Sequence, residues 1–525
     1  MFKFSPKKMF QSKKGPHFNL NALHKSRMRK RKQMMFGAGG MLVLIIGVLF
    51  AVTQIDVIRE FFSQASGEPA NIIVNTQGVV GPMPRPWRNL AQGGEAFDWR
   101  LQPLVPKVAA LNPEYIRIDH IYDFYDIVGG TPGNLTFDFS KMDPIIDDII
   151  ATGAKPYIAL SYMPPVISES DIIGKPKIWT DWQLVVQKTI EHYSGTKGIS
   201  DIYYEVWNEP DLFGDWKYYG DKNYLTLYTY AARGAQNARG VQPYKIGGPG
   251  ITALYKNWFN ALAKHAIANN LPLDFFSWHR YNYDIDQYKQ DMTEARTWLA
   301  QFPQLEPTME LHITEWGHDS EVQAGYDTTF GAAHTVAGSI EMVGVVERAF
   351  AFEIQDGPDP EGKQYWGRWG MFTAANTTVT AKPRYYALQM LDSIGDQRLS
   401  LLGKGYWVKG LAARNAAGNA EVVLANYDRL GRNTENVPVT FTNIQPGSYT
   451  ISKKFLNGQL LTEKVATTEA ALQINVAMSA NTVAKVELIP DQVQAAPVLP
   501  VPIPVPAAQP VSAPQRQGFD NLIGN

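Results

Sequence analysis

The chain has 525 residues, 45% of them apolar and 19% charged, which is too much apolar content for a disordered chain and enough for large cores. It contains no cysteine, so disulfide frameworks, thiolate zinc sites, iron–sulfur clusters and a cysteine nucleophile are excluded. The net charge of −1 hides an asymmetry: residues 1–33 carry 11 Lys/Arg and no Asp/Glu, while the rest carries 38 basic against 50 acidic residues. A basic head on an acidic body argues against nucleic acid as a partner and for a membrane.

Taken in chain order, the basic segment 1–33 ends in Arg27-Met-Arg-Lys-Arg-Lys32 and is followed by the uncharged run Met34–Val52. At 1.5 Å per residue such a run spans about 28 Å, close to a bilayer core. The expectation is a single transmembrane helix over 34–54 with its N-terminus in the cytoplasm and everything after it outside the plasma membrane. A cleaved signal peptide is the rival, although its basic region would be long. Residues 55–70 read as a linker.

Over 71–390, short β-branched and aromatic runs alternate with amphipathic helical stretches. The expected strands are Asn71–Asn75, Tyr115–Asp119, Lys155–Ser161, Ile202–Trp207, Lys245–Gly248, Leu273–His279, Met309–Glu315 and Val346–Ile354. Eight strands alternating with helices predict an α/β fold, a (β/α)8 TIM barrel. No glycine-rich phosphate loop follows the first strand, which leaves a dinucleotide fold without support. Over 391–490 the texture changes to short alternating strands between turns such as Pro446-Gly447 and Asn457-Gly458, which predicts a C-terminal β-sandwich. The tail, 491–525, contains Val498-Leu-Pro-Val-Pro-Ile-Pro-Val-Pro506, and its alternating prolines predict an extended segment outside any core.

The strongest chemical signal is Tyr203-Tyr-Glu-Val-Trp-Asn-Glu-Pro-Asp211, where the fourth strand ends in Asn208-Glu209. A second carboxylate closes the seventh strand in Leu311-His-Ile-Thr-Glu-Trp-Gly317. Strand C-termini face the active site of such a barrel, so Glu209 and Glu315 meet at the mouth. A pair of carboxyl groups there suits glycosidic bond cleavage: one protonates the leaving oxygen, and the other attacks or activates water.

These motifs resemble the clan of retaining barrel glycosidases. Glu205-Val-Trp-Asn-Glu-Pro-Asp211, Asp274-Phe-Phe-Ser-Trp-His-Arg-Tyr281, Phe139-Ser-Lys-Met-Asp-Pro144 and Gly247-Gly-Pro249 are similar to glycoside hydrolase family 39, the β-xylosidase and α-L-iduronidase family. The resemblance covers about residues 71–490. It implies Glu209 as acid/base, Glu315 as nucleophile, Asn208 on the sugar 2-OH, and His279 and Tyr281 around the nucleophile and sugar. It implies no metal and no cofactor. Where the family tends to place a histidine two positions after Arg117, this chain has Asp119 followed by His120. The eighth strand ends without a tryptophan, so Trp366 or Trp369 takes that platform role.

Further readings concern neighbouring residues. Glu205 shares the face of Glu209, and its buried charge is expected to pair with Arg117. His312 and Thr314 are expected to face the helices. The cluster Asp119, His120, Asp123, Asp126 matches no metal-ligand spacing and reads as sugar hydrogen bonding or surface. Trp87 and Trp316 are candidate sugar-stacking residues, and Arg85 and Arg88 are candidate partners for a uronate. The expected function is a membrane-anchored retaining glycosidase with a cell-surface or exported polysaccharide as its carbohydrate partner. A non-catalytic glycan-binding barrel and a transglycosylase are the alternatives.

Overall fold

The computed structural model describes residues 67–491 apart from 95 and 98. The basic segment, the apolar run at 34–54, residues 55–66 of the linker and residues 492–525 of the tail lie outside the described residues. Among those described, no helix is long and apolar enough to cross a membrane.

Eight parallel strands close a barrel: β2 (Asn89–Gln92), β3 (Tyr115–Ile118), β6 (Lys155–Leu160), β7 (Ile202–Val206), β8 (Tyr244–Ile251), β9 (Phe275–Tyr281), β10 (Glu310–Gly317) and β11 (Arg348–Phe352). A small hairpin, β4 (Val128–Thr131) and β5 (Asn134–Phe137), rises from the loop after β3. The strands of the barrel are buried on both faces, as helices outside and packed side chains inside require. The interior holds an aromatic plug: the Tyr157 and Tyr203 rings stack at 5.2 Å, Phe350 meets Tyr157 at 4.6 Å, and Phe275 stacks on His312 at 5.0 Å. Below it the Arg348 guanidinium lies 4.4 Å from the Tyr115 ring. With this plug the barrel has a solid floor, and polar chemistry is confined to the strand ends above it.

The second body is a nine-stranded sheet in the order β17-β16-β19-β14-β13-β12-β1-β15-β18. It comprises β1 (Ile72–Pro82), β12 (Gln397–Leu402), β13 (Val408–Arg414), β14 (Ala420–Asn426), β15 (Glu435–Thr442), β16 (Gly447–Phe455), β17 (Leu460–Thr467), β18 (Ala471–Met478) and β19 (Thr482–Pro490). One apolar cluster joins Ile72 and Val74 to Val422, Ile451, Val476 and Val486, so the sheet bends over a single core. The helix Thr329–Met342, built largely from small residues and capped by the Thr328 hydroxyl, lies buried between this sheet and the barrel.

Two expectations need correction here. The run at Asn71–Asn75 is not the first barrel strand. It belongs to β1, which pairs antiparallel with β12 and parallel with β15 in the C-terminal sheet. Its alternating burial marks a strand with one face outward, whereas the true first barrel strand, Asn-Leu-Ala-Gln, lacks β-branched residues and gives no strand signal. His312 does not face the helices but sits in the barrel interior, with Nδ1 3.3 Å from the Tyr157 hydroxyl. The register of β10 on β9 steps from Ile313 opposite Trp278 to Glu315 opposite His279. That bulge at Thr314 lets His312 and Glu315 both face inward, which strict alternation forbids.

Because β1 lies between β12 and β15, its removal creates two unpaired edges inside a sheet. A chain starting at Met83 should therefore aggregate or lose its cooperative unfolding transition, measured by size-exclusion chromatography and thermal melting against a chain starting at Gly67.

Candidate active site

The site is assembled from the ends of β3, β7, β9 and β10. β7 ends in a backbone turn where Trp207 and Glu209 adopt φ of +79° and +45°, conformations that non-glycine residues rarely hold. The turn is held by Glu209 N–H donating to Gly250 O at 2.9 Å and by the Trp207 indole donating to Phe213 O at 3.1 Å. Glu209 is thereby lifted over the barrel axis. Glu315 stands across from it, beside His279 in the β9 register.

Arg117 ties these parts together. Fully buried, it donates from Nε to Glu205 at 2.7 Å, from Nη1 to Glu315 at 2.9 Å and from Nη2 to Asn208 Oδ1 at 2.8 Å. The pairing of Glu205 with Arg117 expected from the sequence is present, and the same guanidinium also reaches Glu315. Asn208 passes the chain on, donating to the Tyr162 hydroxyl at 2.9 Å. The second oxygen of Glu315 accepts from the Tyr281 hydroxyl at 2.8 Å. His279 Nδ1 lies 3.1 Å from Glu209 and 3.4 Å from Glu315, so one imidazole bridges both carboxyl groups. One oxygen of each carboxylate and a ring nitrogen of His279 all lie within 4.8 Å of one another. These donor types also ligate cations, but the guanidinium of Arg117 already puts a positive charge against Glu315.

The electrostatics follow from burial. Desolvation works against a charged His279, yet Glu315 and Glu209 raise its pKa above the ordinary histidine value. Burial pushes the Glu315 carboxyl up against the pull of His279 and Arg117, and Glu209 adds to the rise.

Asp119, one step above Arg117 on the same face, is buried with Oδ1 unpartnered, and burial raises its pKa. His120 donates to or accepts from Asp123 at 2.7 Å and packs against Tyr162 and Phe124, while Asp126 pairs with Lys141 at 2.6 Å near the surface. The four residues thus do not converge. Trp366 is half-buried in the loop after β11, 4.9 Å from the Arg368 guanidinium; Trp369 lies under that guanidinium at 3.8 Å and against Phe352 at 5.4 Å.

Two tryptophans expected at the sugar are elsewhere. Trp87 precedes β2, so it sits at the opposite end of the barrel, buried, with its indole donating to Asp392 at 2.9 Å. The error follows directly from taking β1 as the first barrel strand. Arg85 and Arg88 share that location and are held by Asp392 and Asp396. Trp316 points outward from β10 and packs on Tyr288 at 5.2 Å and against His334. One mouth residue was missed: Glu353, fully buried just past β11, accepts from Gln92 Nε2 at 3.1 Å and leaves Oε1 unpartnered. Burial and the neighbouring Asp356 hold its carboxyl well above the usual range, against Lys382. An acid ending the apolar run Ala349-Phe-Ala-Phe is the same signal that exposed Glu209 and Glu315.

Compared with known proteins, residues 80–451 match the family model described as glycosyl hydrolases family 39, more than half of the chain. The chain belongs to glycosyl hydrolase family 39. As a family 39 member it is a glycosidase that hydrolyses O-glycosyl bonds. It is 27% identical over 380 residues to a β-xylosidase of Caldicellulosiruptor saccharolyticus, covering 66% of this chain and 76% of that protein. The fold of this family 39 enzyme is similar to that of a family 39 enzyme from Xanthomonas axonopodis pv. citri, with a TM-score of 0.66 and 18% identity over 81% of this chain and 98% of the other. A monomeric β-xylosidase from Caulobacter crescentus CB15 matches with a TM-score of 0.66 and 20% identity, over 81% of this chain and 100% of its own.

Removing Arg117 from this family 39 chain leaves Glu205 buried without its partner. Arg117→Ala should destabilise the protein by about 3–5 kcal/mol in urea unfolding. Arg117→Lys cannot meet three acceptors at once and should recover only part of the loss.

Proposed function

We propose that this protein is a retaining glycosidase in which Glu315 is the nucleophile and Glu209 the acid/base. The observation that carries the reading is the 4.8 Å clustering of the two carboxylates with His279. Retaining enzymes hold their carboxyl groups about 5–5.5 Å apart, whereas inverting ones leave room for a water between them. Glu315 attacks the anomeric carbon, its charge steadied by Arg117 and its free orientation removed by Tyr281. Glu209 gives its proton to the departing oxygen and later takes one from the incoming water. His279 lies between them and offers its Nδ1 to whichever carboxylate carries the charge as it shifts from Glu315 to Glu209. Asn208 and Asp119 are the groups offered to the sugar hydroxyls, with Glu353 a further buried acid at the end of β11. Given the β-xylosidase relative, β-xylosides are the first substrates to test.

Glu315→Gln should abolish turnover of aryl glycosides. Glu209→Gln should spare 2,4-dinitrophenyl glycosides, whose leaving group needs no proton, and depress substrates with poor leaving groups by roughly 100-fold or more in kcat/KM. Equal losses on both would remove the acid/base assignment, and product of inverted configuration by proton NMR would remove the mechanism.

The basic segment and the apolar run before residue 55 support an extracytoplasmic address: a single membrane anchor with the enzyme outside, acting on exported or cell-surface polysaccharide. Protease added to spheroplasts should digest the barrel while the membrane is intact. Protection until lysis, or a mature soluble protein beginning near residues 55–70, would replace the anchor with another arrangement.

A further inference from the structure

Among the described residues of the barrel body, five aromatic side chains are exposed: Phe97, Tyr219, Tyr255, Tyr365 and Tyr386. Single exposed rings are ordinary on a protein surface. Their placement here is not even, because four of the five lie on loops that leave the C-terminal ends of barrel strands. Phe97 follows β2, Tyr219 follows β7, Tyr255 follows β8 and Tyr365 follows β11. Only Tyr386 sits away from the mouth, on the helix Pro383–Asp392.

The rings are also placed against the chemistry and on opposite sides of it. Phe97 is 61% exposed, and its ring meets Phe124 at 5.5 Å; Phe124 in turn lies 4.5 Å from the ring of His120, beside Asp119. Across the mouth, the Tyr255 hydroxyl is 3.4 Å from that of Thr252, whose backbone N–H donates to Asp211, two residues past Glu209. Tyr219 is 60% exposed and stands 5.0 Å from Tyr218 on the loop that carries Glu209 out of the barrel. In a ring of eight strands, the loops after the first two and those after the fourth and fifth face each other, with the carboxylate pair between.

We propose that these rings are contact points for a sugar chain laid across the mouth, so that the enzyme cleaves within polysaccharide chains instead of removing terminal sugars. The inference rests on the glycosidase reading above and adds the length and course of its substrate. Flat faces of pyranose rings carry C–H groups that pack on aromatic planes, and a row of exposed rings offers such planes at successive sugar positions. A pocket enzyme for terminal sugars closes the glycone side around one residue and meets the rest of the chain on the leaving-group side alone, so an open aromatic surface on the glycone side is what a chain-internal cleavage adds. Rings beside Glu209 lie on the leaving-group side, and rings beside His120 lie on the other. An extended platform also explains why large apolar rings stay exposed at a water-facing rim.

The test uses the protein comprising residues 67–491 joined to its natural flanks, detergent-solubilised, on arabinoxylan, mixed-linkage glucan and galactomannan, with the matching 4-nitrophenyl glycosides. Internal cleavage should collapse the viscosity of the polymer that is attacked while few reducing ends have formed, with oligosaccharides as first products. Phe97→Ala, Tyr219→Ala, Tyr255→Ala and Tyr365→Ala combined should lower the polymer-to-aryl-glycoside ratio of kcat/KM by about tenfold or more. Tyr386→Ala, with its ring on a helix, should leave the ratio unchanged, and melting curves check that each variant is folded. Release of monosaccharide as the sole early product, an unchanged ratio in the fourfold variant, or aryl glycoside turnover without attack on any of the three polymers would overturn the proposal. Should no glycoside be turned over at all, the glycosidase reading fails. The platform then stands or falls on affinity electrophoresis through gels containing the same polymers: retardation lost in the fourfold variant sustains it, and no retardation refutes it.

Discussion

The site depends on one buried guanidinium. Arg117 has no exposure to solvent, and three separate strands meet through it: Glu205 on β7 with Asn208 just past its end, and Glu315 on β10, reached from β3. Burying that charge is unfavourable by itself; burial works against it, and Glu205, Glu315 and Asp119 more than restore the charged form. The planar fork of arginine lets three acceptors be met at fixed angles, so the position of the nucleophile candidate is set from the opposite side of the barrel. The aromatic plug beneath keeps water from relaxing this arrangement. Everything at the mouth is then built on a dry, charged platform whose members cannot move independently.

That platform gives two similar carboxyl groups different surroundings. Glu315 receives a guanidinium and a phenol, both donors that favour its charge, and it is turned inward by the bulge at Thr314 in β10. Glu209 comes off a strained turn and faces the outer loops. His279 touches both, so one imidazole links the two carboxyl groups. The low dielectric of the surroundings strengthens each of these interactions relative to water.

Much of this was legible in the sequence because strand ends carry their own punctuation. Asn208-Glu209-Pro210 and Glu315-Trp-Gly317 close apolar runs with polar residues, and seven of the eight barrel strands were placed from such runs. The failures have physical causes. Asn89–Gln92 gives no strand signal because its burial comes from the helices and neighbours around it, not from its own side chains. β1 looks like a barrel strand because β-branched alternation says only that a segment is extended, not which sheet accepts it. That single substitution of one strand for another carried Trp87 to the wrong end of the barrel. The bulge at Thr314 is invisible to periodicity, and it reversed the reading of His312. Trp316 was misplaced by its adjacency to Glu315, although neighbours on a strand point to opposite faces. Glu353 carries the same punctuation, an acid closing the apolar run Ala349-Phe-Ala-Phe352.

β1 has a consequence for how the protein is made. Its partners are among the last strands to be synthesised: Ala70 N–H binds the carboxylate of Glu435, 365 residues later. At common translation rates that interval lasts roughly 20–70 s. Until β12 and then β15 are made, Ile72-Ile-Val has no strand to pair with. Among the described residues the first strand thus latches a sheet whose other members are all made more than 300 residues later. A chain cut short before residue 435 leaves Ile72-Ile-Val without its parallel neighbour strand.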